Sequence, residues 1–578
     1  MGVFSTNDHH ARLQPYCGIC GDSIKVSEQC ELLIGNDNST AFSQRLGPYS
    51  FPDYGHGVRD KNGVLLCRKP RCSICAASPE ISVTHSDCYN LLTQSCDVSN
   101  HLDYLWILTA WRAPWRQAPY FHLRDAITKT GESVFEALNM SSMRKLPAEI
   151  LNMIRDYSAS SMIWRFQTVS GLAERFPTTT TDHLLSLPLQ TVSAWKRGGQ
   201  VMTAERADML PVMRLTIDSW GIREIERLVE SPEFGRRRTD GLVFVLLSHQ
   251  SLKGINAKFK FGILRLEVPE KYHGLQTWDT PTPPYLHRCH FYPASITFST
   301  QFRTIDLDQT SGITFFFAND QIYTVHAHTR TTPYAQMTYQ RLSRRRQQSV
   351  TWVYVPIAQR DAIVALGSRV PSSEATFSSG TCLLFRMQLG GDVSVGVGPS
   401  GKVRNVLLSK SPTTIIYNEL ELEPVSVFGA YPTEGRENSQ PEAPFSQPLI
   451  DRPPFPYAYF SLAPLERVDR IRIFNDELTG FCVGILFEYQ NGAQRSLGQC
   501  RIGIDPVQDC AKPGRICLHR CTYGRPGTPA RLQATMVKST SGQKHDHHEQ
   551  QDWTCFQMQG RLDFWFSYEE TNLAVILD

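Results

Sequence analysis

Residues 257–268 read AKFKFGILRLEV, and this stretch decides the fold class of the larger part of the chain. Apolar and polar side chains alternate along it, with one slip where Ile263 and Leu264 are adjacent. Successive side chains of a β-strand point to opposite faces, so the alternation predicts half-buried strands and the slip predicts a β-bulge.

The alternating pattern continues toward the C-terminus. It recurs at 351–356, 482–489 and 562–566, and Asn491-Gly492 supplies the turn signal of a β-hairpin. From about residue 200 onward we therefore predict a large, mainly antiparallel β region. Residues 431–456 are rich in proline and polar residues, which predicts either a linker between two β domains or a long exposed loop within one.

The N-terminal part is rich in cysteine. Of the 16 cysteines in the 578 residues, eight lie within the first 96. Six residues there have the spacing of zinc ligands, in two C-x-x-C pairs and one H-x-x-C pair: Cys17 and Cys20, Cys72 and Cys75, and His85 and Cys88. Two intervening residues let one tight turn direct both side chains at one ion, and Gly21 permits the backbone conformation that such a turn requires.

The simplest tetrahedral zinc site uses Cys17, Cys20, His85 and Cys88. Residues 85–92 have the pattern of a helix start, where side chains three apart share one face and the helix dipole favours a thiolate. Four protein ligands leave no open position on the ion, so this zinc is expected to be structural rather than catalytic.

Other ligand sets remain open at this point. A rival site combines Cys72 and Cys75 with His85 and Cys88. Cys67 and Cys96 permit a second, less regular site. The default expectation is that three cysteines are ordinary buried thiols: Cys30, Cys67 and Cys96.

Two helices are predicted between the cysteine-rich part and the β region. Residues 145–157 place apolar side chains at helical spacing, with Pro147 suited to a first turn and Glu149 favourable to the helix dipole. A second helix with one apolar face is predicted over about 161–176. Together they form a helical hairpin.

The hairpin resembles an F-box. Residues 146–157 read L-P-x-E-I-L-x-x-I-x-x-Y, and residues 162–170, MIWRFQTVS, are similar to the continuation of that motif. The sequence departs from it at Ser158, where an apolar residue is usual, and in the connector 158–161. The resemblance implies binding to the Skp-type adaptor of a cullin-type ubiquitin ligase through the residues that match the motif: Leu146, Pro147, Glu149, Ile150, Ile154, Met162 and Val169. The alternative is a hairpin that only packs between its neighbours.

Two wider resemblances bear on function. The order of parts along the chain resembles that of F-box-like proteins of filamentous fungi, which carry a C-x-x-C-G, an H-x-x-C before an apolar helix, an L-P-x-E-I segment and a strand-rich remainder. Residues 470–498 resemble a jacalin-type lectin repeat. This second likeness supports an alternative function, a carbohydrate- or other ligand-binding β-sandwich protein without a ubiquitin-ligase role, in which a glycan or small molecule is the ligand.

Composition narrows the classes of partner. The chain has 59 basic and 56 acidic residues, a balance that argues against nucleic acid as the partner. Its apolar runs are shorter than the roughly 18 residues of a membrane span, and its first residues lack a secretory signal. We therefore expect an intracellular protein, cytoplasmic or nuclear, in which clustered cysteines bind metal rather than form disulfides. No catalytic motif predicts an enzyme.

The predicted fold class is α+β and multidomain. It comprises a zinc-binding domain at 1–100, a helical connector at 101–200 with the F-box-like segment at 144–176, and a β-rich domain at 201–430. The Pro-rich segment at 431–456 leads to residues 457–578, a β-rich C-terminal domain or the second half of the same β body. The predicted function is that of a protein-interaction adaptor, a substrate receptor of a ubiquitin ligase.

Overall fold

The computed structural model describes residues 10–577 with the exception of 54–57, 60–64, 70–71, 73, 76–77, 122, 124–134, 137–138, 159–160, 175, 177–182, 206–209, 237–238, 240, 270–274, 293–300, 372–381, 398–402, 420–422, 433–443, 447–452, 525–530 and 543–551. About 46% of the structure is strand and 16% is helix, which confirms the predicted β-rich character. No helix in the described ranges is long and apolar enough to cross a bilayer.

The chain divides into two compact units, residues 1–283 and 284–578. This division differs from the five-part organisation predicted from the sequence. The reason is a shared core in unit 1, where Trp115 and Phe121 pack with β-strand residues such as Leu215 and Leu264. Ile263 packs in the core of the cysteine-rich part, so these strands belong to the same compact unit as that part.

The α-helices are α1 (Ser86–Ser95), α2 (Leu102–Ala110), α3 (Ala148–Tyr157), α4 (Met162–Ala173), α5 (Gln336–Gln340) and α6 (Arg344–Gln347). Short 3-10 helices span Val98–His101, Ser141–Lys145, Leu189–Thr191, His249–Leu252, Leu286–Arg288 and Leu307–Gln309.

The strands of unit 1 are β1 (His10–Arg12), β2 (Gln29–Gly35), β3 (Phe42–Ser50), β4 (Val58–Arg59), β5 (Leu65–Cys67), β6 (Ile81–His85), β7 (Leu185–Pro188), β8 (Val192–Lys196), β9 (Met202–Thr203), β10 (Val212–Asp218), β11 (Gly221–Leu228), β12 (Val243–Ser248), β13 (Asn256–Lys260), β14 (Ile263–Glu267) and β15 (Thr277–Trp278).

The strands of unit 2 are β16 (His290–Tyr292), β17 (Gln301–Asp306), β18 (Gly312–Ala318), β19 (Gln321–His328), β20 (Thr351–Pro356), β21 (Ile363–Pro371), β22 (Cys382–Met387), β23 (Gly391–Val395), β24 (Val403–Lys410), β25 (Pro412–Asn418), β26 (Phe428–Pro432), β27 (Tyr459–Pro464), β28 (Val468–Asn475), β29 (Cys482–Tyr489), β30 (Gln494–Gly498), β31 (Val507–Ala511), β32 (Arg515–Gly524), β33 (Arg531–Thr540), β34 (Thr554–Gln557), β35 (Arg561–Phe566) and β36 (Thr571–Ile576).

Small sheets build the cysteine-rich part of unit 1. Strand β2 lies between β3 and β6 in an antiparallel sheet, while β5 lies between β1, to which it is parallel, and β4. Helices α1 and α2 pack on these strands, and their core includes the completely buried Trp106 and Trp111. Helix α4, the second helix of the predicted hairpin, contributes Val169 and Leu172 to the same core.

The larger sheet of unit 1 is antiparallel. Strands β15, β12, β10, β11, β8 and β9 lie side by side in that order, and β13 lies between β14 and β7 in a separate sheet. Arg265 of β14 forms a two-point ion pair with Glu80, with Nη–Oε distances of 2.6 and 2.7 Å. This pair joins the cysteine-rich part to the strands that follow the helical hairpin.

The opening stretch of sequence forms a hairpin and not one bulged strand. Residues 256–260 and 263–267 pair as the antiparallel strands β13 and β14, joined at Phe261 and Gly262. Both turn residues have positive φ, 53° and 69°. The adjacent Ile263 and Leu264 therefore mark the first residues after a tight turn, and the predicted bulge is corrected to a turn.

Unit 2 consists of antiparallel sheets around one large apolar core. The strands predicted at 351–356, 482–489 and 562–566 are confirmed as β20, β29 and β35, and Gly492 has a φ of 89° in the turn between β29 and β30. Most of the predicted Pro-rich segment lies outside the described residues. Phe445, within it, is buried against Ala365 and Leu384, so at this point the segment packs on the β body.

Candidate metal centre

The first C-x-x-C pair lies in a tight turn between residues 17 and 22. The Cys17 N–H donates to the carbonyl of Asp22, and the Gly21 N–H donates to the carbonyl of Cys17, both over 2.8 Å. Gly21 has a φ of 79°, which confirms the expected reason for a glycine after Cys20. Gly18 packs so closely on β6 that an added Cβ would lie 2.5 Å from Ser82 Oγ. The turn is therefore held against the strand that ends at the histidine ligand.

The histidine and the third cysteine come from the junction of β6 and α1. Strand β6 ends at His85, and α1 begins at Ser86, as the sequence predicted. Cys88 lies in the first turn of the helix. The spacing of three residues therefore brings Cys88 to the same side of the helix as His85.

The four preferred ligand residues converge. The ligand atoms of Cys17, Cys20, His85 and Cys88 all lie within 4.8 Å of one another, and all four residues are buried. His85 Nδ1 lies 3.4 Å from Cys20 Sγ and 3.7 Å from Cys88 Sγ. Ideal tetrahedral zinc requires about 3.6 Å between sulfur and nitrogen ligands, as follows from the usual bond lengths. Both separations are therefore close to those around a bound zinc ion.

A carboxylate lies behind the histidine. Glu28 Oε2 is 3.4 Å from His85 Nε2, in an electrostatic contact rather than an aligned hydrogen bond. The other oxygen, Glu28 Oε1, accepts a hydrogen bond from Arg165 over 3.1 Å, and the Lys25 N–H donates to Oε2. Metal-binding histidines commonly have a carboxylate at the second ring nitrogen, which fixes the ring and its tautomer. Glu28 has this position.

The three thiols compete for ionisation. Burial by itself would raise the pKa of Cys17, but hydrogen bonds with Cys20, Cys88 and His85 outweigh burial and lower this pKa well below its usual value. Burial and the neighbouring thiolate of Cys17 raise the pKa of Cys20. A bound cation would remove this competition, because it would stabilise all three thiolates together.

The other C-x-x-C pair belongs to a second group. Cys72 and Cys75 converge with His10 and Cys67, and their four ligand atoms also lie within 4.8 Å of one another. The structure therefore does not bring together the rival set of Cys72 and Cys75 with the ligands of the first group. Cys67, which was expected to be an ordinary buried thiol, is a member of the second group. Both groups have the composition to hold a metal ion.

The other two cysteines in question make local contacts. The Cys30 thiol donates to the carbonyl of Tyr49 over 3.4 Å, and the Cys96 thiol donates to that of Leu92 over 3.1 Å. Neither thiol belongs to a metal-type group within the described part of the chain.

The predicted partner-binding residues lie on both sides of the helical hairpin. Pro147, Glu149, Ile150 and Met162 are exposed, Leu146 and Ile154 are half-buried, and Val169 is completely buried. Val169 is therefore a core residue here, because α4 turns that side into unit 1. Met153, which the F-box motif did not include, is 55% exposed. Its helical spacing from Ile150 was the available signal.

A network of charges connects the hairpin to the metal centre. The guanidinium of Arg165, on α4, contacts Glu28, and it lies 3.8 Å from Asp22. Arg155, on α3, lies at the same distance from Asp22. Asp22 ends the turn that carries Cys17 and Cys20, and Glu28 faces His85. Both hairpin helices therefore contact residues that lie next to the candidate ligands.

Comparison with known proteins adds no family. The chain matches no protein-family model, and no curated protein matches it significantly. The cysteine and histidine groups and the helical hairpin therefore carry the functional argument by themselves.

Proposed function

We propose that this protein is an intracellular F-box-like adaptor. The hairpin α3–α4 binds the Skp-type adaptor of a cullin-type ubiquitin ligase, and the β-rich remainder binds the substrate. A structural zinc ion at Cys17, Cys20, His85 and Cys88 stabilises the unit that carries the hairpin. The observation that carries the proposal is an exposed apolar surface on a hairpin whose opposite side is fixed in the core.

The exposed surface of the hairpin supports a docking role. Ile150, Met153 and Met162 are 39%, 55% and 38% exposed, whereas Trp164 and Leu172 on the other side are buried. Large exposed apolar side chains in one short stretch are typical of an interface, and methionine is enriched there. An amphipathic helix that has already buried one side can place its remaining apolar side chains in a groove of a partner.

The donor set supports zinc as the metal. Three thiolates and one imidazole suit tetrahedral zinc, and softer ligands of this kind disfavour magnesium or calcium. All four ligand residues are buried, which leaves no route for a substrate to an open coordination position. A closed site of this kind contributes folding free energy and no chemistry.

The alternative function is glycan binding by unit 2. A cavity there, lined by residues that include Tyr354, Tyr459 and Ser461, holds about 20 Å³. That volume accommodates about one water molecule. A glycan array with the full chain tests this alternative.

The docking proposal is tested with the full chain and a purified Skp-type adaptor. We expect a complex in calorimetry, weakened at least tenfold by Met153→Asp, because the substitution places a charge in an apolar contact. Met202→Asp is the matched control, since Met202 is 62% exposed on β9. Thermal melting of both variants checks that the fold is intact. Absence of binding at high concentration, or equal loss in both variants, would contradict the proposal.

The zinc proposal is tested by metal analysis. We expect Cys17→Ser and His85→Ala each to remove the zinc ion of this site from the purified protein. Unchanged zinc content in both variants would show that these residues are not ligands.

A further inference from the structure

We propose that His10, Cys67, Cys72 and Cys75 form a second structural zinc site, and that the two sites are interleaved along the chain. This inference is independent of the adaptor role, because it concerns only the metal content of the N-terminal part.

Strand pairing brings the first two residues of this group together. His10 lies on β1 and Cys67 on β5, and the two strands are parallel neighbours in which Arg12 is paired with Cys67. The Leu13 N–H donates to the carbonyl of Cys67 over 2.9 Å. The position of His10 is thus fixed by backbone hydrogen bonds to the strand that carries a thiol.

The C-x-x-C pair supplies the other two ligands, Cys72 and Cys75. Cys72 Sγ also lies 3.4 Å from His10 Nδ1, close to the sulfur–nitrogen separation in the first site. Cys72 and Cys75 lie outside this strand pair, so separate parts of the chain bring these ligand atoms together.

The chemistry of this group matches that of the first. It again offers three sulfur atoms and one imidazole nitrogen, all within 4.8 Å of one another. Cys67 and Cys75 are buried, while His10 and Cys72 are partly exposed. The donors fit tetrahedral zinc, and the partial exposure gives an entry path for the ion.

The ligands of the two sites alternate along the sequence. His10 precedes Cys17 and Cys20, the three thiols of the second group come next, and His85 and Cys88 complete the first. Each ion therefore closes a loop that contains ligands of the other. Closing both loops restricts the unfolded chain more than either ion does alone, so loss of one ion weakens the retention of the other.

The metal content of the full chain is the direct test. After dialysis against a weak chelator, we expect two zinc ions per chain by mass spectrometry of the elements. One zinc per chain, or iron in place of zinc, would overturn the proposal.

A conservative variant assigns the second ion. We expect Cys72→Ser to lose this ion, whereas Cys96→Ser, in the same part of the chain but outside both groups, retains two. If Cys72→Ser fails to fold and loses all zinc, alkylation of the unmodified protein tests whether Cys72 is a ligand. There, Cys72 should react with iodoacetamide only after zinc is chelated. Rapid alkylation of Cys72 with the zinc still bound would overturn the assignment.

Discussion

Replacement of Glu28 by glutamine is expected to weaken zinc binding at the first site. Glutamine keeps the length of the side chain and an oxygen that accepts the hydrogen bond from Arg165. It removes the negative charge that lies 3.4 Å from His85 Nε2. In the zinc-bound form that we propose, His85 then loses the carboxylate that orients its ring and increases its electron donation to the ion.

The expected loss of zinc affinity is moderate. Substitutions of such supporting carboxylates typically reduce metal affinity 10- to 100-fold, equivalent to about 1.4–2.7 kcal/mol. We expect a value within this range, because Glu28 is only partly buried and its contact with His85 is not an aligned hydrogen bond. The fold itself should persist, since the four ligands are unchanged.

The assay is competition for zinc with a chelator of known affinity at constant pH. Alkylation of Cys20, followed by mass spectrometry, assigns the released zinc to this site. Asp37→Asn serves as the control for the loss of one negative charge, because Asp37 is exposed. An affinity of Glu28→Gln within twofold of the unmodified protein would refute the supporting role of this carboxylate.

Further predictions concern the stability of unit 1. Arg265→Ala should cost about 3 kcal/mol in chemical denaturation, since Glu80 loses its two-point partner and keeps only the interactions with Ser39 and Arg116; equal stability would contradict the buried pair. Burial would raise the pKa of Glu80, but the charge and hydrogen bonds of Arg265 outweigh burial and lower this pKa. The ion pair therefore stabilises the fold fully above the pKa of an unfolded glutamate, about 4.3, and this stabilisation is lost on acidification below that value. Glu80→Gln should flatten this pH dependence. Val169→Ala should cost about 2 kcal/mol in the same assay, whereas a surface residue would cost almost nothing. Gly35→Ala should destabilise by about 1–3 kcal/mol, because its Cβ would lie 2.2 Å from the Trp106 ring, and a melting temperature equal to that of the unmodified protein would disprove the clash.

Local patterns predicted those features that depend on neighbouring residues. The C-x-x-C turn, the helix that begins after His85 and the alternating strands of unit 2 all result from interactions within a few residues. The two hairpin helices were likewise predicted to within a few residues of their ends. Sequence spacing was sufficient for these elements because their geometry is set by turns and periodicity.

Features that depend on contacts between distant residues could not be predicted from the sequence. His10 has no ligand-type residue at a characteristic spacing, and only the parallel pairing of β1 with β5 brings it to the second group. The tight turn at Phe261 was read as a bulge because a phenylalanine with positive φ gives no turn signal. Val169 matched a motif position, but its burial depends on how α4 packs.

The ion pair between Arg265 and Glu80 bears on how this protein can be divided into fragments. A fragment of residues 1–100 would retain the metal ligands but lose Arg265, which neutralises Glu80, and Arg165, which neutralises Glu28. It would also expose the apolar surface that Val169, Leu172 and other later residues cover. The cysteine-rich part is therefore not an autonomous module, and the shortest fragment that keeps these partners extends through β14.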